Sequence, residues 1–102
     1  MSTGKIGAAD LAAGVDTLLG MADENMVINV CLVNRGNTFV KVRLAIGAGT
    51  TPGNTDYLEY DTIMLANGVL ERTGIVISSG EKIWVRTDTA TVSARAHGLP
   101  AV

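Results

Sequence analysis

The apolar positions of this chain recur every second residue, not every third or fourth. In residues 39–46, four apolar side chains alternate with Lys41, Arg43 and small residues. A period of two with many β-branched residues predicts half-buried antiparallel strands. Residues 26–33 show the same alternation, and the short linker 34–37 is rich in turn formers. We therefore expect two strands here that pair as a hairpin.

The second half of the chain continues this alternation of strands and turns. The Asn67-Gly68 pair predicts a tight turn that leads into a return strand, and Gly74 within that strand predicts a β-bulge. The one long loop is expected over residues 47–56. Strands are predicted over residues 57–65, 69–77, 82–87 and 91–97.

The beginning of the chain is ambiguous between helix and strand. Residues 8–21 contain helix-permissive Ala and Leu, but Gly14 interrupts them and residues 15–21 resemble a strand. We favour the strand. Gly20 stands where a bulkier β-former would be expected. Residues 1–10 are expected to form an extended N-terminal arm.

Seven to eight short strands separated by turns predict one all-β domain over residues 1–102. We expect a single antiparallel β-sandwich, either jelly-roll or immunoglobulin-like. The inward positions of the predicted strands form the expected core, which comprises Ile28, Val30, Leu32, Val42, Leu44, Ile83, Val85, Val92 and Ala94.

Composition narrows the class of partner. The 102 residues are 47% hydrophobic and 18% charged, with a formal net charge of −2. This charge gives no reason to expect nucleic acid or an anionic membrane as a partner, and no apolar run is long enough to span a membrane. A small domain with this much apolar surface favours self-association or assembly with another protein.

Few residues offer catalytic or metal-binding chemistry. The single histidine, His97, is expected to be solvated on the polar face of the last strand. Glu59 and Asp61 share a strand face by their spacing, which admits a metal or glycosidase interpretation. We favour ion pairs with Lys41, Arg43 or Arg72 on neighbouring strands instead. We therefore expect no enzyme, no catalytic residue, no cofactor and no metal site.

Four residues are candidate interface positions. Trp84 extends from a polar strand face, where it would stack on a sugar, anchor a protein neighbour or be half covered by the N-terminal segment. Tyr57 and Tyr60 add aromatic surface on the 57–65 strand. Cys31 is the single cysteine and cannot form an intrachain disulfide. It is either a packing residue or a thiol that pairs with another chain after assembly.

A family resemblance covers residues from about 10 to about 99. It is carried by turns and strand alternations in four segments: 33–36 (Val-Asn-Arg-Gly), 41–46 (Lys-Val-Arg-Leu-Ala-Ile), 57–61 (Tyr-Leu-Glu-Tyr-Asp) and 65–76 (Leu-Ala-Asn-Gly-Val-Leu-Glu-Arg-Thr-Gly-Ile-Val). In these segments the chain resembles small β-sandwich virion structural proteins of tailed bacteriophages, of the head-decoration or tail-associated type. The resemblance implies a non-enzymatic virion subunit that is assembled in the host cytoplasm.

The same resemblance implies a set of partners. A decoration or cement subunit would bind the major capsid protein, or another virion protein, and would self-associate. A tail or baseplate subunit is the alternative within this class. A glycan-binding β-sandwich module that uses Trp84, Tyr57 and Tyr60 is an alternative from another class. Neither nucleic acid nor a membrane is an expected partner.

Overall fold

The protein is built from β-strands. A computed structural model describes residues 4–101, and within them it contains eight strands and no helix. The predicted all-β class is confirmed, and the predicted strands are present to within a few residues at their ends. The strands are β1 (Gly4–Asp10), β2 (Thr17–Met21), β3 (Met26–Asn34), β4 (Val40–Gly47), β5 (Tyr57–Met64), β6 (Val69–Ile77), β7 (Lys82–Thr87) and β8 (Val92–Pro100).

The strands form two four-stranded sheets. Sheet A has the order β1-β8-β3-β6, and sheet B has the order β2-β7-β4-β5. The first strand thus pairs with the eighth, the second with the seventh, the third with the sixth and the fourth with the fifth, all antiparallel. This nested pairing is that of a hairpin rolled up on itself. Of the two sandwich types expected, the structure is therefore a jelly roll.

The predicted hairpin of residues 26–33 with 39–46 is wrong. The segment between these strands leads from β3 in sheet A to β4 in sheet B. The turn at Asn67-Gly68 also crosses between sheets, so β6 does not return along β5. Asn67 has a φ of 59°, and the Gly68 N–H donates to the Leu65 carbonyl, as in a tight turn with a left-handed third residue. Local turn chemistry was identified correctly, but the same turns here serve as corners between the sheets.

A buried asparagine holds these corners together. Asn34 is fully buried, and its Nδ2 donates to the carbonyls of Thr38 at 2.8 Å and Leu65 at 3.2 Å. Its Oδ1 accepts from the Gly36 N–H at 3.0 Å and the Thr91 hydroxyl at 2.9 Å. One side chain therefore ties the β3–β4 corner to the β5–β6 corner and to the turn before β8. Because the donors and acceptor of this buried amide all have partners, the side chain stabilises this arrangement of the corners between the two sheets.

The N-terminal region consists of strands. The favoured strand over 15–21 is confirmed as β2, and the helix alternative over 8–21 is wrong. Part of the expected N-terminal arm, Gly4–Asp10, is β1, an edge strand of sheet A that pairs with β8. Residues 1–3 of that arm lie outside the described residues. The bulge predicted at Gly74 is confirmed. Gly74 has a φ of 67°, and the β3–β6 register shifts between Ile28 and Val30.

The core lies between the two sheets. All nine predicted core residues are buried, and none exceeds 3% exposure. They join a single cluster of buried apolar side chains, in which further members include Leu11, Leu19, Met26, Val40, Ile46, Met64 and Ile77.

The sandwich is closed at one side by glycine. Here β1 and β2, the edge strands of the two sheets, approach each other backbone to backbone. A Cβ on Gly7 would overlap the carbonyl oxygen of Leu19, and a Cβ on Gly20 would lie 2.6 Å from the Ile6 Cγ2 atom. The unexpected glycine at position 20 is thus explained by the space that Ile6 occupies.

Candidate binding surface

The outer face of sheet B carries three of the four candidate interface residues. Trp84 and Tyr57 lie on either side of Ala45 in one row across β7, β4 and β5. Ala45 points away from the core and is nevertheless only 1% exposed, because it lies between these aromatic residues. Tyr60 is next to Tyr57, so the structure brings the three aromatic residues onto one face.

Trp84 is half-buried on this face. It pairs with Leu18 of β2 on its other side, so the N-terminal part of the chain flanks it. Its indole N–H is enclosed and finds no acceptor within the described residues. The N–H is therefore not presented to a ligand in this conformation. Of the three aromatic candidates, Tyr60 on β5 is the one that is more than half exposed.

The two tyrosines and Arg43 form a compact group on β4 and β5. The rings of Tyr57 and Tyr60 meet edge to face with centroids 4.9 Å apart. The guanidinium carbon of Arg43 lies 4.1 Å from the Tyr60 ring centroid, which is cation–π geometry. Tyr60 still keeps 58% of its surface exposed. The three side chains thus contact one another closely while Tyr60 remains accessible to solvent.

Asp61 completes this group through a bulge in β5. The β4–β5 register shifts around Arg43, and Asp61 has a φ of 52°, which few residues other than glycine adopt. The bulge directs the Asp61 carboxylate to Arg43, whose Nε donates to Oδ1 at 2.7 Å and whose Nη2 donates to Oδ2 at 3.4 Å. Bulges commonly re-aim a side chain in this way. The hydrogen bond from Arg43 lowers the pKa of Asp61, and the same bond raises the pKa of Arg43.

The predicted common face of Glu59 and Asp61 is wrong, because the bulge separates them. Glu59 is opposite the inward-facing Leu44 and pairs with Arg72 of β6 at 3.0 Å. The favoured ion pairs are confirmed for Arg43 and Arg72. The two carboxylates thus act separately, one within sheet B and one between the sheets.

A stripe of apolar side chains extends from this group along the same face. We call Phe39, Tyr60, Ile63 and Leu65 the β5 stripe; they are 58%, 58%, 57% and 71% exposed. Phe39 and Leu65 flank the Val40–Met64 pair of neighbouring strands. Sequence reasoning missed the aliphatic part, although the unbroken run Ile63-Met64-Leu65 is a signal. A strand that is apolar on both faces is usually covered on both.

A small polar hollow adjoins the β5 stripe. Its volume is about 240 Å³, and its lining includes Lys41, Arg43 and Arg86 together with Asp61 and Asp88. Its lining contains both cations and carboxylates, so it offers both hydrogen-bond donors and acceptors to a polar ligand.

Cys31 lies elsewhere, on the outer face of sheet A. It is a free thiol, partly exposed, between Arg95 of β8 and Glu71 of β6. Burial and, secondarily, the negative charge of Glu71 raise its pKa. A raised pKa leaves less thiolate at neutral pH and makes the thiol less reactive. The structure therefore separates Cys31 from the three aromatic candidates.

The remaining chemistry is sparse. His97 pairs in register with Lys5 and Asn29 on sheet A. Within residues 4–101, no three His, Cys, Asp or Glu side chains come together in a way that could hold a metal ion. The same residues contain no helix long and apolar enough to cross a membrane.

Comparisons with known protein families, with curated proteins and with solved structures give no match.

Proposed function

We propose that this protein is a non-enzymatic virion structural subunit that binds the capsid surface of a tailed bacteriophage as a decoration or cement protein. The β5 stripe is the observation that carries the proposal. Four large side chains, each more than half exposed, lie together on the outer face of sheet B, on the edge strand β5 and immediately beside it. Exposed apolar patches of this kind usually mark a protein contact.

The chemistry of the β5 stripe indicates what the partner offers. Phe39, Ile63 and Leu65 have no charge, so the matching surface of the major capsid protein is apolar at its centre. Full burial of such a side chain in the contact contributes about 1.5–3 kcal/mol to the free energy of binding. Arg43 and Asp61 lie beside the stripe and satisfy each other's charge, so the contact has a polar rim, as protein interfaces commonly do.

The family resemblance supports the same proposal, with virion location and assembly in the host cytoplasm as its consequences. The partner is the major capsid protein or another virion protein, and attachment to a lattice repeats each weak contact many times. Copies that also associate with one another attach more tightly than a single copy, because the second binding event of linked copies is effectively intramolecular. Attachment to the tail or baseplate is the alternative within this class.

The test is co-sedimentation of the purified protein with phage particles that lack it. We expect binding to capsids, and we expect Ile63→Ser combined with Leu65→Ser to weaken it about tenfold or more. Val15→Ser is the matched control, because Val15 is also about half exposed, at 51%, but lies between β1 and β2. Binding to isolated tails but not to capsids would favour the tail alternative. Binding to neither, or equal binding of all variants to capsids, would overturn the proposal.

A glycan-binding module is the second candidate, favoured by the polar hollow beside Tyr60. An exposed aromatic ring next to a hollow lined by cations and carboxylates would stack on a sugar ring and form hydrogen bonds with its hydroxyls. Titration of the isolated protein with a glycan panel tests it. Binding that is lost in Tyr60→Ala and retained in Ile63→Ser would support this function, whereas the absence of any glycan-dependent change would remove it.

A further inference from the structure

The outer face of sheet A is the second large apolar surface of the molecule. Its side chains lie in rows across β8, β3 and β6. At one end the row is Leu99, Val27 and Val76, with exposures of 64%, 39% and 72%. Towards the other end follow a polar row of His97 and Asn29 beside the Gly74 bulge, the row of Arg95, Cys31 and Glu71, and then the row of Ser93, Val33 and Val69.

The charges of this face are arranged symmetrically about β3. Arg95 and Glu71 are both exposed and occupy equivalent positions on either side of Cys31. Neither joins the ion pairs that other arginines and carboxylates form within residues 4–101. A two-fold rotation about an axis parallel to β3 would exchange these positions between two copies. Each Arg95 would then face the Glu71 of the other copy.

The apolar side chains obey the same symmetry. The rotation places Leu99 of one copy over Val76 of the other, and it places Val27 and Val33 over their own equivalents. Apolar side chains therefore face apolar ones at both ends of β3, and the charged row and the row of His97 and Asn29 lie between them. A face that is complementary to itself is what a two-fold interface requires.

Shape adds a further match. A groove of about 530 Å³ lies on this face around Ser93, and small side chains such as Ala8 and Cys31 line it. Val69 is 62% exposed and occupies the position that the two-fold rotation brings over Ser93. Each copy would insert its Val69 into the groove of the other copy.

The geometry points to a second copy of this chain as the occupant of the outer face of sheet A, related by a two-fold axis along β3. The charge complementarity of Arg95 with Glu71 selects this partner, since an unrelated surface would have to reproduce both charges at the right spacing. The inference is independent of the proposed capsid attachment, which uses sheet B.

The same geometry gives Cys31 a role as a contact residue. Facing sheets lie about 10 Å apart, whereas a disulfide needs Cα atoms no more than about 7 Å apart. The two Cys31 thiols would face each other across the axis without bonding. The interchain disulfide expected as an alternative for Cys31 does not fit this interface.

Charge reversal followed by sedimentation equilibrium tests the interface. The wild-type protein should show a monomer–dimer equilibrium, with the dimer at twice the monomer mass of 10.6 kDa. Glu71→Arg alone places arginine opposite arginine at both contacts, and Arg95→Glu alone places carboxylate opposite carboxylate. Each single variant should therefore be monomeric where the wild type is dimeric. An equimolar mixture of the two variants restores both contacts and should form a heterodimer.

Two further measurements complete the test. Lys41→Glu, a charge reversal on the outer face of sheet B, should leave the dimer unchanged. Alkylation of Cys31 by N-ethylmaleimide should slow several-fold as wild-type concentration rises, but not in Glu71→Arg. A wild-type protein that stays monomeric at every concentration would overturn the inference. So would single variants that dimerise like the wild type, or a mixture that remains monomeric.

Discussion

The two edges of the sandwich are closed by different means. At the β1–β2 edge the backbones meet directly, because Gly7 and Gly20 have no Cβ to separate them. At the β5–β6 edge the sheets are linked by side chains, with Glu59 paired to Arg72 between them. The first edge depends on the absence of side chains at Gly7 and Gly20 and has no room for a Cβ at either position. The second edge is free to vary its outward side chains, and it is there that the β5 stripe lies.

Both strands of the open edge carry a bulge. Asp61 interrupts β5 and Gly74 interrupts β6, each with a positive φ. The Gly74 N–H donates to the side chain of Asn29 at 2.9 Å. A bulge prevents an edge strand from offering a long flat template for pairing. The open edge is therefore protected against uncontrolled strand addition while its side chains stay available for contact.

The largest effect is expected at the closed edge. Gly7→Val places a branched side chain on the Leu19 carbonyl and should destabilise the protein by about 3 kcal/mol or more, as strong overpacking does. Urea denaturation measures the change. Ala8→Val adds similar bulk to an exposed position of the same strand and should change the stability little. Equal tolerance of both substitutions would contradict close backbone contact at this edge.

The second-largest loss of stability is expected for a substitution of Asn34, whose side chain connects the β3–β4 corner to the β5–β6 corner. Asn34→Ala removes the bonds to the carbonyls of Thr38 and Leu65 and should cost about 1–3 kcal/mol, because buried acceptors lose their donor. The unfolding midpoint in urea checks it. Asn37→Ala changes an exposed residue of the same corner and serves as the control. A loss no greater than that of the control would show that the corner does not depend on Asn34.

A smaller effect is expected for the ion pair of the open edge. Glu59→Gln keeps the shape of the side chain but removes the charge that faces Arg72. The Glu59 side chain is 16% exposed and that of Arg72 is 46% exposed, so we expect a loss of about 0.5–1 kcal/mol. Glu71→Gln, measured at a dilution where the chain is monomeric, is the control. If both variants are equally stable, the open edge does not rely on this pair.

The smallest effect is the pH dependence of the Arg43–Asp61 pair. The pKa of Asp61 is lowered from 3.8, so its contribution to stability is present above that value and is lost as the pH falls through the folded-state pKa. Asp61→Asn keeps a residue that accepts a positive φ and lacks the charge. The stability difference between wild type and Asp61→Asn should therefore be present at neutral pH and shrink below about pH 3.8. A difference that does not change with pH would contradict the assignment.

The sequence predicted the strands and the core because alternation reports burial directly. Ile28, Leu44 and Val85 could be assigned to the core from spacing alone. The pairing of strands could not be predicted, since the residues that turn a hairpin also turn a corner between sheets. The function of Asn34 as a corner residue depends on Leu65 and Thr91, which are distant in sequence.

The candidate surface was predictable only in part. The sequence marked Tyr57, Tyr60 and Trp84 as candidates, but a period of two would put Tyr57 and Tyr60 on opposite faces of their strand. The register shifts in the β4–β5 pairing bring the two rings together. The bulge that turns Asp61 towards Arg43 has no local signal, because aspartate rarely adopts this conformation. The closeness of Gly20 to Ile6 also depends on two sheets meeting. The Asp61–Arg43 contact and the Gly20–Ile6 contact each join two strands, so the pattern along one strand does not reveal them.

Hydrogen exchange of the protein bound to capsids tests the central claim, that the open edge is the contact surface. β5 is paired on one side only, so amides on its free side should exchange quickly in the unbound protein. On capsid binding we expect slower exchange over residues 57–65, with little change over β1 and β2. Protection of β1 and β2 with no change in β5 would contradict the account.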